Sequence, residues 1–263
     1  MLKRSVLSWC ALLPLIAVNL FPFAVALDTL HRAEGEGSLG AFWAGLWART
    51  ELRTALVNSL VIAVSTAVIS TLIALPAAYA ISRWRFRGRR AASQILLASQ
   101  MLVPVMLVLG LSQLVAGAGL TDTRLALIGL YSAFQVPFAV WMLRGYIDAI
   151  PVELEDAARI DGASRFQILR LIVLPLSMPA VAVTATFAFI TAFNEFVLAL
   201  TILRSSSNFT LPIRVNALTA GRYAVDWPDV MGAVLVASLP VMLTFLWLQR
   251  SMLRGLRLSL GAS

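Results

Sequence analysis

The side chains able to do chemistry are few and unevenly placed. Of 263 residues, one is lysine (Lys3), one is cysteine (Cys10) and one is histidine (His31). A lone cysteine cannot close an intrachain disulfide, and a lone histidine cannot build a histidine-based metal centre. A phosphate-binding loop needs Gly-Lys-Ser/Thr, its lysine reaching the terminal phosphates. Lys3 is followed by Arg4 with no glycine loop before it, so the chain carries no such loop. If ATP powers it, another subunit supplies the nucleotide site. No catalytic constellation and no metal ligand set is read from the sequence. What remains is Glu195, the one acid within an apolar stretch, beside Phe193, Asn194 and Phe196. Aromatic, amide and carboxylate groups together suit a polar solute such as a sugar, which has apolar ring faces and hydroxyl edges. The competing reading is structural, with Glu195 hydrogen-bonded to a neighbouring helix or a partner subunit. Gln135 and Gln113 are weaker candidates for the same pathway, with an interhelical hydrogen bond as the alternative.

The elements that must hold these groups are membrane helices. The chain is 60% hydrophobic and 13% charged, with a mean hydropathy of +0.86, against about 45–50% and about 25% in a soluble domain. That excess excludes most soluble enzymes as well as disordered or fibrous chains. About 20 apolar residues cross a bilayer, and stretches between charges suggest six helices within 5–27, 54–82, 91–121, 125–143, 171–203 and 230–249. The first could pass for a signal peptide, but its apolar run is long, contains Pro14 and Pro22 and precedes no clear cleavage site; a retained helix is expected. The expected organisation is an N-terminal transmembrane helix over 1–27, a flexible external loop over 28–53, a five-helix core over 54–250 and a tail over 251–263.

Basic residues set the orientation. With both termini on one side, that side holds 14 of the 21 basic residues, including five arginines within 82–90, and a net charge of +9. Both termini are therefore expected in the cytoplasm. The 82–90 loop is expected to touch anionic lipid, with a protein contact as the alternative. Nucleic-acid binding is not expected, since no soluble basic domain exists to hold it. Each helix also contains proline, consistent with a bundle bent around a pathway or simply with the frequency of proline in membrane helices.

Residues 151–175 stand out. Pro151 suits the first helical position, and Glu153, Glu155 and Asp156 favour the positive end of the helix dipole. Gly162 suits the left-handed position past a helix end. Ser164 with Gln167 forms a capping box that opens a second helix, and Pro175 ends or kinks it. A helix–turn–helix of this kind either lies on lipid or docks a partner, and the small Ala157 and Ala158 permit close approach.

Asp156-Ala157-Ala158, Gly162, Ile172, Leu174 and Pro175 resemble the signature loop of membrane subunits of binding-protein-dependent ABC importers. Aspartate stands at position 156 where the family has glutamate. Asn58-Ser59-Leu60, the 82–90 loop and Phe193-Asn194-Glu195-Phe196 resemble the carbohydrate-importer branch, and within it the smaller six-helix subunit of maltose-type systems. The resemblance implies a type I importer fold that is all helical, in the bacterial inner membrane. It implies a coupling helix seated in an ATPase groove, with Glu155, Asp156, Ala157, Ala158, Asp161, Gly162, Ser164 and Phe166 as coupling residues. It also implies a second, different permease subunit, two ATPase subunits holding ATP and Mg, and an external solute-binding protein. The rival readings are an ion-coupled secondary transporter using Glu195, and a membrane scaffold subunit without transport activity.

Overall fold

The computed structural model describes Pro14, Val18 and residues 20–31, 39–101, 104–220 and 225–260, with side chains to residue 249. Lys3, Arg4 and most of the first apolar stretch lie outside the described residues. The described chain is helical and contains no strand. Its helices are α1 (Leu20–His31), α2 (Leu39–Thr50), α3 (Leu52–Arg83), α4 (Arg89–Ser99), α5 (Val108–Gly117), α6 (Arg124–Asp148) and α7 (Val152–Ile160). They continue as α8 (Arg165–Leu176), α9 (Met178–Asn194), α10 (Val197–Ile202), α11 (Leu211–Thr219) and α12 (Trp227–Leu260).

Among the described residues, three helices are long and apolar enough to cross a membrane: α3, α6 and Trp227–Gln249 of α12. The count rises to five if two bent pairs each make one span. At most 44% of any of the three apolar windows is buried within the chain, so the rest must meet lipid or another chain. Pro76, Pro137 and Pro240 lie inside unbroken helices, whereas Pro104 and the Pro175/Pro179 pair lie at breaks. Two prolines four apart remove donors in successive turns. The chain turns by 78° between α8 and α9, at a buried Ser177 whose hydroxyl donates to the Val173 carbonyl at 2.6 Å.

The expected boundaries shift in three places. The segment read as loop 28–53 contains α2, because Phe42 and Leu46 form an apolar stripe at helical spacing and Leu46 is fully buried. The tail read as 251–263 is helical through Leu260 as a continuation of α12. Pro151 caps α7 from outside, with φ −57° and ψ 130°, and Val152 is the first helical residue.

The chain divides into two compact units. One holds Met1–Arg53 and Leu211–Pro240. In it Arg49 pairs with Asp229 at 2.7 Å and Arg214 pairs with Glu51. The other holds Thr54–Thr210 and Val241–Ser263. Its core gathers Ala74, Ala78 and Tyr79 of α3, Ala139, Val140, Leu143 and Ile147 of α6, and Ile168 and Val173 of α8. Elsewhere in this unit, Asp122 organises the 203–210 loop. Its carboxylate accepts from the Arg204 and Ser205 amides at 2.9 and 3.0 Å and from the Ser205 hydroxyl. Buried Asn58 donates to the Ser207 and Phe209 carbonyls at 2.8 and 3.0 Å.

The Ser205 hydroxyl first, and then the two amides, hold the Asp122 carboxyl far below the usual carboxylate range. A depressed folded-state value stabilises above the unfolded value of about 4 and is lost only as pH falls through the folded one. Protection of the Arg204 and Ser205 amides should therefore show no step from Asp122 between about pH 5 and 8. Hydrogen exchange on Asp122→Ala should show those amides deprotected.

Candidate functional site

The signature segment folds as a hairpin whose turn is closed by its own backbone. Asp161 ends α7, and Gly162 follows at φ 85°, a left-handed conformation costly for a residue with a side chain. The Ala163 amide donates to the Ala158 carbonyl at 2.9 Å and the Gly162 amide to Arg159 at 3.0 Å. These are the two bonds of a Schellman motif. The Ser164 hydroxyl accepts from the Gln167 amide at 3.3 Å, and the Gln167 side chain accepts from the Ser164 amide at 2.7 Å. The capping box read from the sequence is thus complete.

The hairpin is clamped to the rest of its unit through a buried ion pair. Glu155 is fully buried. Its carboxylate accepts from Arg83 Nε at 2.6 Å and Tyr79 Oη at 2.9 Å, with Arg159 Nη2 at 3.4 Å. Arg83 Nη2 also donates to the carbonyls of Ile147 and Ile150 at 2.9 and 2.8 Å, which lie at and just beyond the C-terminal end of α6. One guanidinium therefore joins α3, α6 and α7. Beside it the Ser82 hydroxyl bonds Asp148 at 2.5 Å.

This arrangement corrects two sequence expectations. Glu155 faces inward and cannot touch a docking partner, so it is a positioning residue for the hairpin. Arg83 is not a lipid-facing loop arginine, because its side chain is 9% exposed and paired. The sequence signal for it was Tyr79 and Arg83, four apart at the end of an apolar helix. Asp156, Ala157, Asp161, Gly162, Ser164 and Phe166 are exposed and Ala158 is half-buried, with Asp156 paired to Arg159. Ile160, absent from the expected set, is 87% exposed beside the turn, and Phe166 is 69% exposed. An apolar residue ending an otherwise charged helix was its sequence signal. A cleft of about 590 Å³ runs along the inner edge of the turn, lined by Tyr79, Arg83, Trp84, Arg159, Gly162 and Arg165 among others.

The second candidate group centres on a carboxylate that is itself held by protein partners. Glu195 lies at the break between α9 and α10. Its carboxylate accepts from Tyr131 Oη of α6 at 2.5 Å and from the Leu198 and Ala199 amides at 2.9 and 3.1 Å. It caps α10 and ties that helix to α6, which is the structural reading. Phe193 is buried and stacks on Phe189 at 5.6 Å. Asn194 is exposed, and Gln135 is buried one turn from Tyr131 on α6. Gln113 is exposed on α5.

Residues 70–257 match the family described as binding-protein-dependent transport system inner membrane component. The chain belongs to this family. The permease is 38% identical over 194 residues to a putative ABC transporter permease, ORF1, of Streptomyces antibioticus, covering 74% of this chain and 84% of that one. It is 33% identical over 193 residues to the diacetylchitobiose uptake permease DasC of Streptomyces coelicolor, covering 73% and 70%. It is 35% identical over 193 residues to the trehalose/maltose permease MalG of Thermococcus litoralis, covering 73% and 68%. Its fold is similar to a chain of a bacterial ABC transporter involved in the import of the polysaccharide alginate, with a TM-score of 0.78 at 22% identity over 94% of this chain and 96% of that one. The permease is a multi-pass, non-catalytic membrane component of an ABC importer. These likenesses favour that function over a lone ion-coupled carrier or a scaffold.

Removing one partner of a buried pair leaves an uncompensated charge, at a cost of about 3–5 kcal/mol. Glu155→Ala should lower the melting temperature of the purified permease, whereas Asp156→Ala at the exposed neighbour should leave it nearly unchanged. Glu195→Gln should lose about 1–3 kcal/mol in a thermal melt while leaving solute selectivity in uptake assays unchanged.

Proposed function

We propose that the chain imports a sugar or sugar derivative by alternating access, and that the 151–175 hairpin is its coupling element. Sugar transport is named for the Streptomyces coelicolor and Thermococcus litoralis relatives, which supports the solute class. The working assembly comprises this permease, a second and different permease, two ATPase subunits and an external binding protein. ATP and Mg are held by the ATPases. The permease lies in the bacterial inner membrane with six helices and both termini in the cytoplasm, an orientation the arginine distribution supports.

The observation that carries the mechanism is the Arg83–Glu155–Tyr79 clamp beneath a capped turn. ATP binding draws the two ATPases together and displaces the hairpins seated in them. A hairpin that flexed would absorb that displacement. Here the turn is closed by backbone bonds on one side and side-chain caps on the other. The stroke therefore passes through α7 into Arg83 and the ends of α3 and α6, and through α8 across the Ser177 bend into α9. The solute cavity opens outward to receive its load and resets on hydrolysis. The exposed face of Ile160, Phe166 and Ala157 supplies the apolar contact for the ATPase groove.

Gly162→Val forces a β-branched residue into the left-handed region, a strain of about 1–3 kcal/mol. In the reconstituted complex it should leave basal ATP hydrolysis running while uptake falls at least several-fold. Uptake coupled as in the unaltered complex would remove the hairpin from the mechanism. Ligand binding to the cognate external binding protein tests the sugar assignment, and a protein that ignores sugars would overturn it.

A further inference from the structure

The loop after α3 and the first turn of α4 form an arginine-lined hollow that the transport mechanism does not use. Arg85, Phe86, Gly88, Arg89, Arg90, Ala91 and Gln94 line a shallow, open hollow of about 580 Å³. No acidic residue occurs between positions 83 and 121. Among the described residues, Arg85, Arg87, Arg89 and Arg90 form no ion pair. Arg89 alone is partly engaged, donating to the Ser82 carbonyl at 3.2 Å. Several guanidinium groups without a counter-ion around one hollow call for an anion, and their planar forks suit the oxygens of a phosphate.

The surroundings say which phosphate. Phe86 stands between Arg85 and Arg87 and is 44% exposed, a placement aromatic side chains take at a membrane interface, whereas Trp84 lies under the Arg165 guanidinium of the hairpin, 5.1 Å from its ring centre. α4 lies at 87° to the Pro104–Gly117 segment that follows. α4 has Arg89, Arg90 and Gln94 on one side and Ile95, 67% exposed, on the opposite side, the character of an interfacial amphipathic helix. Its Ser93 is anchored to α6 by Arg144 Nη1 at 2.7 Å, which fixes the hollow relative to that helix.

We propose that the Arg85–Arg89–Arg90–Gln94 hollow binds the headgroup phosphate of an anionic phospholipid. The site sits next to Arg83, so bound lipid borders the clamp that positions the hairpin. This goes beyond the importer assignment and does not rest on the solute or on coupling.

The test uses the purified complex with its ATPase subunits, in nanodiscs of phosphatidylglycerol and phosphatidylcholine in equal parts. After extraction into mild detergent, retained lipid is identified by native mass spectrometry. The unaltered complex should retain phosphatidylglycerol selectively. Arg85→Gln/Arg90→Gln changes two exposed side chains and should cut that selectivity about thirtyfold, roughly fivefold for each arginine near an anionic surface. Arg85→Lys/Arg90→Lys keeps the charge and should restore most of it. Equal retention by the glutamine variant and the unaltered complex would overturn the proposal. So would inorganic phosphate binding that the variant loses without any change in phosphatidylglycerol, since the hollow would then serve a free anion. Loss of the ATPase subunit from the glutamine variant with lipid retention intact would also overturn it, in favour of a protein contact.

Discussion

Arg83 is the joint on which the functional half of the permease depends. A guanidinium at the end of a long apolar helix is expensive to bury unless every donor is matched. Here one side meets the Glu155 carboxylate and the other meets two carbonyls at the end of α6. Those carbonyls carry the negative end of the α6 dipole, so the same cation answers a side-chain charge and a helix end. The geometry admits little substitution. A lysine would supply a point charge but could not span a carboxylate and two carbonyls with a fixed fork.

This joint explains why the hairpin can be small and exposed yet rigid. α7 has nine residues, and one of them, Glu155, is fully buried. A helix so short has little intrinsic stability in water. Its order comes from the buried anchor on one face and from the Schellman bonds and capping box at its end. The outward face is thereby released from structural duty. It can present Ile160, Phe166 and the small Ala157, which would be a liability on an isolated soluble protein. Glu195 plays a comparable part near a different break, where a carboxylate bonded to Tyr131 and two amides keeps α9 and α10 in a defined angle.

Local grammar was legible in the sequence, and distant pairing was not. Gly162, Ser164 and Gln167 declare their roles because capping is decided within a few residues. The long apolar runs declare α3, α6 and α12 for the same reason. Glu155 and Asp156 could not be told apart as inward and outward, because that depends on Arg83, 72 positions away. Arg83 itself read as one of five equivalent loop arginines, although α3 runs one residue further than its apolar stretch and carries it inside. α2 was missed because glycines and acids just before it masked a stripe of Phe42 and Leu46. The closure of the 203–210 loop on Asp122 and Asn58 is likewise a long-range fact, though Asn58 was singled out by resemblance.

Within α8, residues 169–173 form a π turn. Buried Ile168 and Val173 are five apart rather than four, so both reach the same core only because this turn holds one residue more than an α-helical turn. Each residue of an α-helix rotates the next by about 100°. The surplus residue therefore sets the angular phase between the hairpin and Ser177. α8 is in effect a shaft with a built-in offset. Shortening it by one residue would leave a regular helix but turn the docking face about a quarter of the way around its axis, away from the side that Glu155 holds in place.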